Sequence, residues 1–253
     1  MSQTGTGLVL AAAITAAWLL SLLALLSVDL ASQPLALVVG AIGLRTFLQT
    51  GLFIIGHDAM HGVLLPLRAG SNQRLGQVAL ALYACLPYER CLRNHRQHHQ
   101  APGSCHDPDV LAGAGPLAWY GRFMAGYLAA GQMAALLASW ALCLLLAWPH
   151  SASPGLAVGL VCILPLVLSS LQLFAFGTYF PHRRAGGGWG PGHQASSLDL
   201  PVWLSFLACY HFGYHREHHQ APGLPWFALP AQRRSMATGV QLPLSLAPAR
   251  PAR

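Results

Sequence analysis

The sequence predicts an all-α integral membrane protein, with four transmembrane helices, a histidine-rich cap and further helices lying in the interface. Three observations carry that prediction. Hydrophobic residues make up 54% of the 253 and charged residues only 8%, against roughly 25% charged in a soluble globular domain. Four stretches are long and apolar enough to cross a hydrocarbon layer, which takes about 20 residues of helix. The thirteen histidines are bunched, and the bunches follow the ends of those stretches.

The first span runs from Gly7 to Val28. It has no basic residues ahead of it and is too long and uninterrupted for a cleaved signal peptide. The second, Leu35 to Gly56, is broken only by Arg45, for which snorkelling or pairing with backbone carbonyls is the default. The third covers Phe123 to Pro149 and the fourth Gly155 to Phe180. A fifth apolar stretch, Gln77 to Tyr88, is too short to cross and is expected to lie in the interface or dip into it. Spans at 7–28, 35–56, 123–149 and 155–180 leave histidine-rich segments at 57–122 and 181–230. Residues 1–253 therefore read as a single membrane domain with a flexible loop at Ala185 to Gly192 and a Pro-rich tail at 241–253.

Charge sets the expected orientation. All fourteen basic residues are Arg, and apart from Arg45 every one falls in 57–122 or 181–253. The connections Ser27 to Gln33 and His150 to Pro154 contain none. The positive-inside rule then places both termini and the cap in the cytoplasm, with the spans in the cell membrane. The formal charge of +7 is thus a topology signal. No basic patch interleaved with aromatics points to a nucleic-acid partner. The six Cys form no CxxC pair, so no disulfide is expected on a reducing side.

The histidines fall into three boxes. HDAMH supplies His57 and His61, at i and i+4 on one helix face. HRQHHQAPG (95–103) supplies His95, His98 and His99, and it returns with one change as HREHHQAPG (215–223), which supplies His215, His218 and His219. His182, in FGTYFPHR, follows the fourth span. Each two-span hairpin returns the chain to the same face, so nine imidazoles can converge at one level. Zinc takes four protein ligands in structural sites, or three plus water in catalytic ones. Nine imidazoles therefore indicate a dinuclear centre, although imidazole suits Fe, Zn, Cu and Ni alike.

Other polar residues are ranked around that centre. His211, four before His215, is expected on the same helical stripe, supporting the metal shell, and it is the alternative to His182 as ninth ligand. Asp58, Asp107, Asp109 and Glu217 lie in or beside the boxes and are expected to accept the free ring N–H of metal-bound histidines. His106, His150 and His193 stand alone in loops and read as ordinary surface residues. No HExxH string occurs, which argues against a zinc protease. Ligands at span ends also argue against a bis-histidine haem protein, and against a metal transporter, which would bind near the midplane.

HDAMHG, the two HxxHH boxes and the four spans resemble the integral-membrane fatty-acid desaturase and hydroxylase superfamily. FGTYFPHR, HDPD at 106–109 and CYHFGYHREHHQAPGLPWFALP at 209–230 are more narrowly similar to bacterial and cyanobacterial β-carotene ketolases. The resemblance implies two iron ions, O2 as cosubstrate and a ferredoxin-like electron donor. It implies oxidation of the C4 and C4′ methylenes of β-ionone rings to ketones by two successive hydroxylations, giving echinenone and then canthaxanthin. A carotenoid would enter laterally from the bilayer. A carotene 3-hydroxylase or a lipid desaturase is the alternative inside the superfamily, and a membrane metal-binding or transport protein the alternative outside it. Neither the residues nor the resemblance assigns the substrate-binding side chains.

Overall fold

The computed structural model describes residues 2–183 and 195–239. The loop expected at Ala185 to Gly192, His193 and the tail from 241 lie outside the described residues. Along the chain run α1 (Gln3–Leu26), α2 (Leu35–Met60), α3 (Ala69–Ala84), α4 (Tyr88–Gln100), α5 (Pro116–Tyr127), α6 (Ala130–Ala147), α7 (Pro154–His182), α8 (Val202–Cys209), α9 (His215–Gln220) and α10 (Leu229–Thr238). No strand occurs among the described residues.

Four of these helices, α1, α2, α6 and α7, are long and apolar enough to cross a membrane. Only 17% of the most apolar stretch of α1 or of α6 is buried, against 50% for α2 and 44% for α7. The first two therefore form a lipid-facing rim, with Leu20 and Leu145 pointing outward, while α2 and α7 build the centre. The Ser151 hydroxyl donates to Asp29 Oδ1 at 2.9 Å, joining the two connecting loops. Both hairpins thus turn at one end of the bundle, and the histidine-rich segments gather at the other.

Arg45 lies 1% exposed in the middle of α2. Its Nε donates to Val161 O at 3.1 Å, and one terminal nitrogen donates to Trp18 O at 2.6 Å. Its guanidinium also lies 4.8 Å over the Trp18 ring. Val161 can accept because Pro165, four residues on, has no N–H for that carbonyl, and α7 passes through a π turn at Gly159–Ile163. One charge therefore ties α1, α2 and α7 together through backbone dipoles.

α3 packs against α2 and runs back along it into the bundle. Asn72 Nδ2 donates to Ala59 O at 2.7 Å near its start, and Gln49 Nε2 reaches Tyr83 O near its end. Backbone cannot be left unsatisfied at that depth. Ala84 O takes Gln132 Nε2 from α6 at 2.6 Å, and Cys85, in the left-handed region at φ 53°, reverses the chain. Leu86 N then bonds Leu80 O, closing the reversal from which α4 climbs back. α8 repeats the device: Tyr210 (φ 49°) and His211 (φ 62°) reverse the chain, and His211 N bonds Ser205 O. Each HxxHH box thus follows a left-handed reversal inside the bundle. The short apolar stretch at 77–88 is the end of one of these dips.

Three span boundaries differ from the expectation by more than two residues. The first span starts earlier, at Gln3. The second continues to Met60, so His57 sits inside its last turn and His61 caps it. The third begins at Ala130 rather than Phe123, because Leu128 and Ala129 are extended and α5 forms a separate helix. Its last carbonyls are taken from α4, Gly126 O by Asn94 and Leu128 O by Arg90. Hydropathy is continuous across that break and could not reveal it.

Candidate metal centre

Helical spacing turns each box toward a common point. His57 and His61 come from the end of α2, His95, His98 and His99 from α4, His182 from the end of α7, and the last three from α9. One nitrogen from each of His57, His61, His95, His99 and His218 lies within 4.8 Å of the others, and the same holds for His98, His182, His215 and His219. All nine expected positions are therefore brought together, in groups of five and four. The second and third boxes are split between groups, since adjacent residues on a helix point about 100° apart, whereas His57 and His61 stay together in the group of five.

Ring nitrogens face one another across these groups. His61 and His95 Nε2 are 2.6 Å apart, His99 and His218 Nε2 2.9 Å, and His98 and His219 Nε2 3.1 Å. His57 Nε2 and His215 Nδ1 are buried without a hydrogen-bond partner. Buried polar atoms are normally satisfied, so the orphaned His57 nitrogen and the convergent Nε2 lone pairs are the arrangement a metal ion would complete. His215 contributes its Nε2, 3.0 Å from His219 Nε2, and its Nδ1 is the far side of the ring. Burial, reinforced by neighbouring histidines, holds His61, His95, His215, His218 and His219 well below the usual imidazole range. The same causes bring His99 down to about 3. The rings are neutral, the form that binds metal.

His98 is the exception. Burial opposes its charge, yet the hydrogen bond to Asp107 and the negative charges of Asp109 and Asp107 outweigh it and raise the imidazole. Asp107 accepts His98 Nδ1 at 2.9 Å, together with Gly103 N at 2.7 Å and Asp109 N at 2.9 Å. A carboxylate so held fixes the ring with Nε2 directed at the second group. Burial pushes the Asp109 carboxyl up to about 6, against the lowering effect of His98.

Asp109, Asp58 and Glu217 depart from their expected roles, Asp109 accepting the Tyr127 hydroxyl instead of a histidine N–H. Asp58 Oδ1 is 3.7 Å from His57 Nδ1, beyond hydrogen-bond reach, and its Oδ2 instead accepts Trp226 N at 3.3 Å. Glu217 meets no histidine; it accepts Ser197 and, at 3.1 Å, Arg233 of α10. His211 is not on the stripe of His215, because the chain reverses at positions 210 and 211 before α9 begins. Its ring stacks on Tyr214 at 5.6 Å and belongs to neither group.

A small cavity of about 30 Å³ lies between the groups, bordered by His57 and His95 of one and His98 and His215 of the other. Phe53, Met60, Phe123, Leu173 and Phe212 form its apolar wall, with Asp109 and Tyr127 beside them. The Tyr127 hydroxyl donates to Asp109 Oδ1 at 2.9 Å. Sequence reading missed Tyr127 because it sits in an apolar stretch assigned to the third span. Its only sequence signal is a tyrosine near HDPD.

A fatty acid desaturase family model matches residues 32–248, which is most of the chain. The chain belongs to the fatty acid desaturase family. Within that family it is 38% identical over 241 residues to a β-carotene ketolase of Paracoccus sp. (strain N81106 / MBIC 01143), covering 91% of this chain and 93% of that one. A second β-carotene ketolase, from Paracoccus sp. (strain PC1), is 38% identical over 244 residues, covering 92% and 94%. A zeaxanthin 4-ketolase of Chlamydomonas reinhardtii is 40% identical over 200 residues, 78% of this chain and 44% of the relative. Family membership and the histidine groups are compatible with a metal site, and the kinship with ketolases is that of an oxidoreductase.

Proposed function

We propose that the protein is a di-iron, O2-dependent carotenoid ketolase, converting the C4 and C4′ methylenes of β-carotene to ketones and so forming echinenone and then canthaxanthin. One observation carries the reading: two histidine groups share an apolar-walled cavity in a chain similar to β-carotene ketolases over nine-tenths of its length. His57, His61, His95, His99 and His218 hold one iron, and His98, His182, His215 and His219 the other. Bound iron supplies the oxidant, made from O2 and external electrons, that an allylic C–H requires.

The chain's own residues do the rest. Phe53, Phe123 and Phe212 wall the site off from bulk water, and the cavity of about 30 Å³ between them must widen to take the ring of a substrate that enters from the bilayer. Asp107 keeps His98 in one tautomer, and Asp109 and Asp107 supply negative charge beside an otherwise neutral shell. Tyr127 holds a proton at the cavity wall through its bond to Asp109. A ferredoxin-like protein supplies electrons. The deciding experiment is expression in cells that accumulate β-carotene. Ketones conjugated to the polyene redden the pigment, whereas zeaxanthin or unchanged β-carotene would replace this reading with a 3-hydroxylase or a lipid enzyme.

Two further results are expected. His182→Ala should lose ketone formation and iron together, while His211→Ala, outside both groups, should keep most of its iron. The opposite pattern would move the ninth ligand to His211. The Arg asymmetry supports a cap in the cytoplasm of a cell-membrane protein. Reporter fusions at Gly70 and Gly113 should therefore signal cytoplasm and one at Ser151 the opposite side; a cytoplasmic Ser151 would break this topology.

A further inference from the structure

Each climbing helix carries an arginine directly after its first histidine, Arg96 in α4 and Arg216 in α9. Residues three apart share a helix face, so Arg96 lies alongside His99 and Arg216 alongside His219. Both arginines are exposed, and Arg93 extends the exposed row along α4. His99 and His219 are partly exposed members of an otherwise mostly buried cluster, and their rings stack at 4.3 Å with 20° between planes. One belongs to the group of five and the other to the group of four. The cluster therefore reaches the surface partly through a stacked imidazole pair spanning both groups, with Arg96 and Arg216 one turn before its two members.

Little negative charge balances this face. Asp58, Asp107, Asp109 and Glu217 are buried. Of the exposed acids, Glu89 accepts Gln73 and Asp199 is paired with Arg233. We propose that this face docks an acidic one-electron carrier protein of the ferredoxin class, with Arg96 and Arg216 engaging its carboxylates over the His99–His219 stack. The inference rests on the ketolase reading, which creates the need for a donor. A methylene, two O2, four electrons and four protons give one ketone and three waters, and the substrate supplies none of those four electrons. Complementary charge raises encounter rates and is screened beyond about 8–10 Å at physiological salt.

The test uses full-length protein in nanodiscs of zwitterionic lipid, supplied with β-carotene and either reduced plant-type ferredoxin or reduced methyl viologen. Arg96→Glu and Arg216→Glu should each raise the KM for ferredoxin about tenfold. The milder Arg96→Gln and Arg216→Gln should raise it less. Iron content and viologen-driven ketone formation should stay within about twofold of the unaltered protein, and added salt should weaken ferredoxin use only where the arginines remain. Unchanged ferredoxin KM in the doubly reversed variant overturns the docking face while leaving the ketolase reading intact. An effect seen only with anionic lipid present would assign the arginines to headgroups instead and overturn it equally. Loss of the viologen-driven rate in the Gln variants would make the arginines structural. No ketone from the unaltered protein with either donor removes the ketolase reading and this inference with it.

Discussion

Replacing His98 by Ala is expected to lower ketone formation at least about a hundredfold and to strip metal from the group of four. The magnitude follows from outer-shell partners, whose loss alone typically costs about 10–100-fold in metal affinity or activity. His98 is 3% exposed, so its removal also leaves Asp107 buried with two backbone donors but no imidazole. Asp107→Asn is the graded companion. Its amide oxygen can still accept from His98 Nδ1, but its NH2 must face either Gly103 N–H or Asp109 N–H, both donors. Metal affinity should fall about 10-fold or more with the fold retained. His150→Ala, on an exposed residue of the far loop, should change neither quantity. Elemental analysis alongside pigment yield decides the matter, and an His98→Ala protein with full iron and full turnover would remove His98 from the centre.

Gly76→Ala is expected to prevent accumulation of folded protein. A Cβ at Gly76 would lie 2.3 Å from the Tyr88 ring and 2.7 Å from Ala59 Cβ. Ala59 has no flexible end to retreat, so α3 would have to separate from α2. Overpacking of this kind costs about 1–3 kcal/mol where side chains can adjust, and more where backbones must part. The displacement would also carry α4 away, since Tyr88 is its first residue, and with it His95, His98 and His99. Gly56→Ala makes a milder contrast, because its clash is with one side chain and no backbone: Leu80 Cδ2 at 2.5 Å and Cγ at 2.7 Å. Gly70→Ala meets nothing within 4 Å and should be tolerated or slightly stabilising. Size-exclusion profiles and iron content of detergent extracts report the outcome. A monodisperse, iron-loaded Gly76→Ala protein would show that α3 packs on α2 differently.

Local covalent geometry made the spans and the boxes legible. Twenty apolar residues have few uses outside a bilayer, and the i, i+3, i+4 spacing of His95, His98 and His99 follows from helical pitch alone. Arg45 was legible as an anomaly, though not its partners, since Trp18 O and Val161 O belong to other helices. The five-and-four division was out of reach. His98 and His99 are neighbours in sequence, yet they serve different groups, and that depends on how α4 seats against α2 and α9. The bond from Trp226 N to Asp58 joins residues 168 apart, and Glu217 turned to Arg233 because α10 packs over it. The break at Leu128 and the reversals at Cys85 and Tyr210 sit in apolar sequence that hydropathy reads as unbroken. Residue type and spacing decide what a segment can bind. Which segments meet is decided by close approach, as at Gly76 against Ala59, between surfaces that lie far apart in the chain.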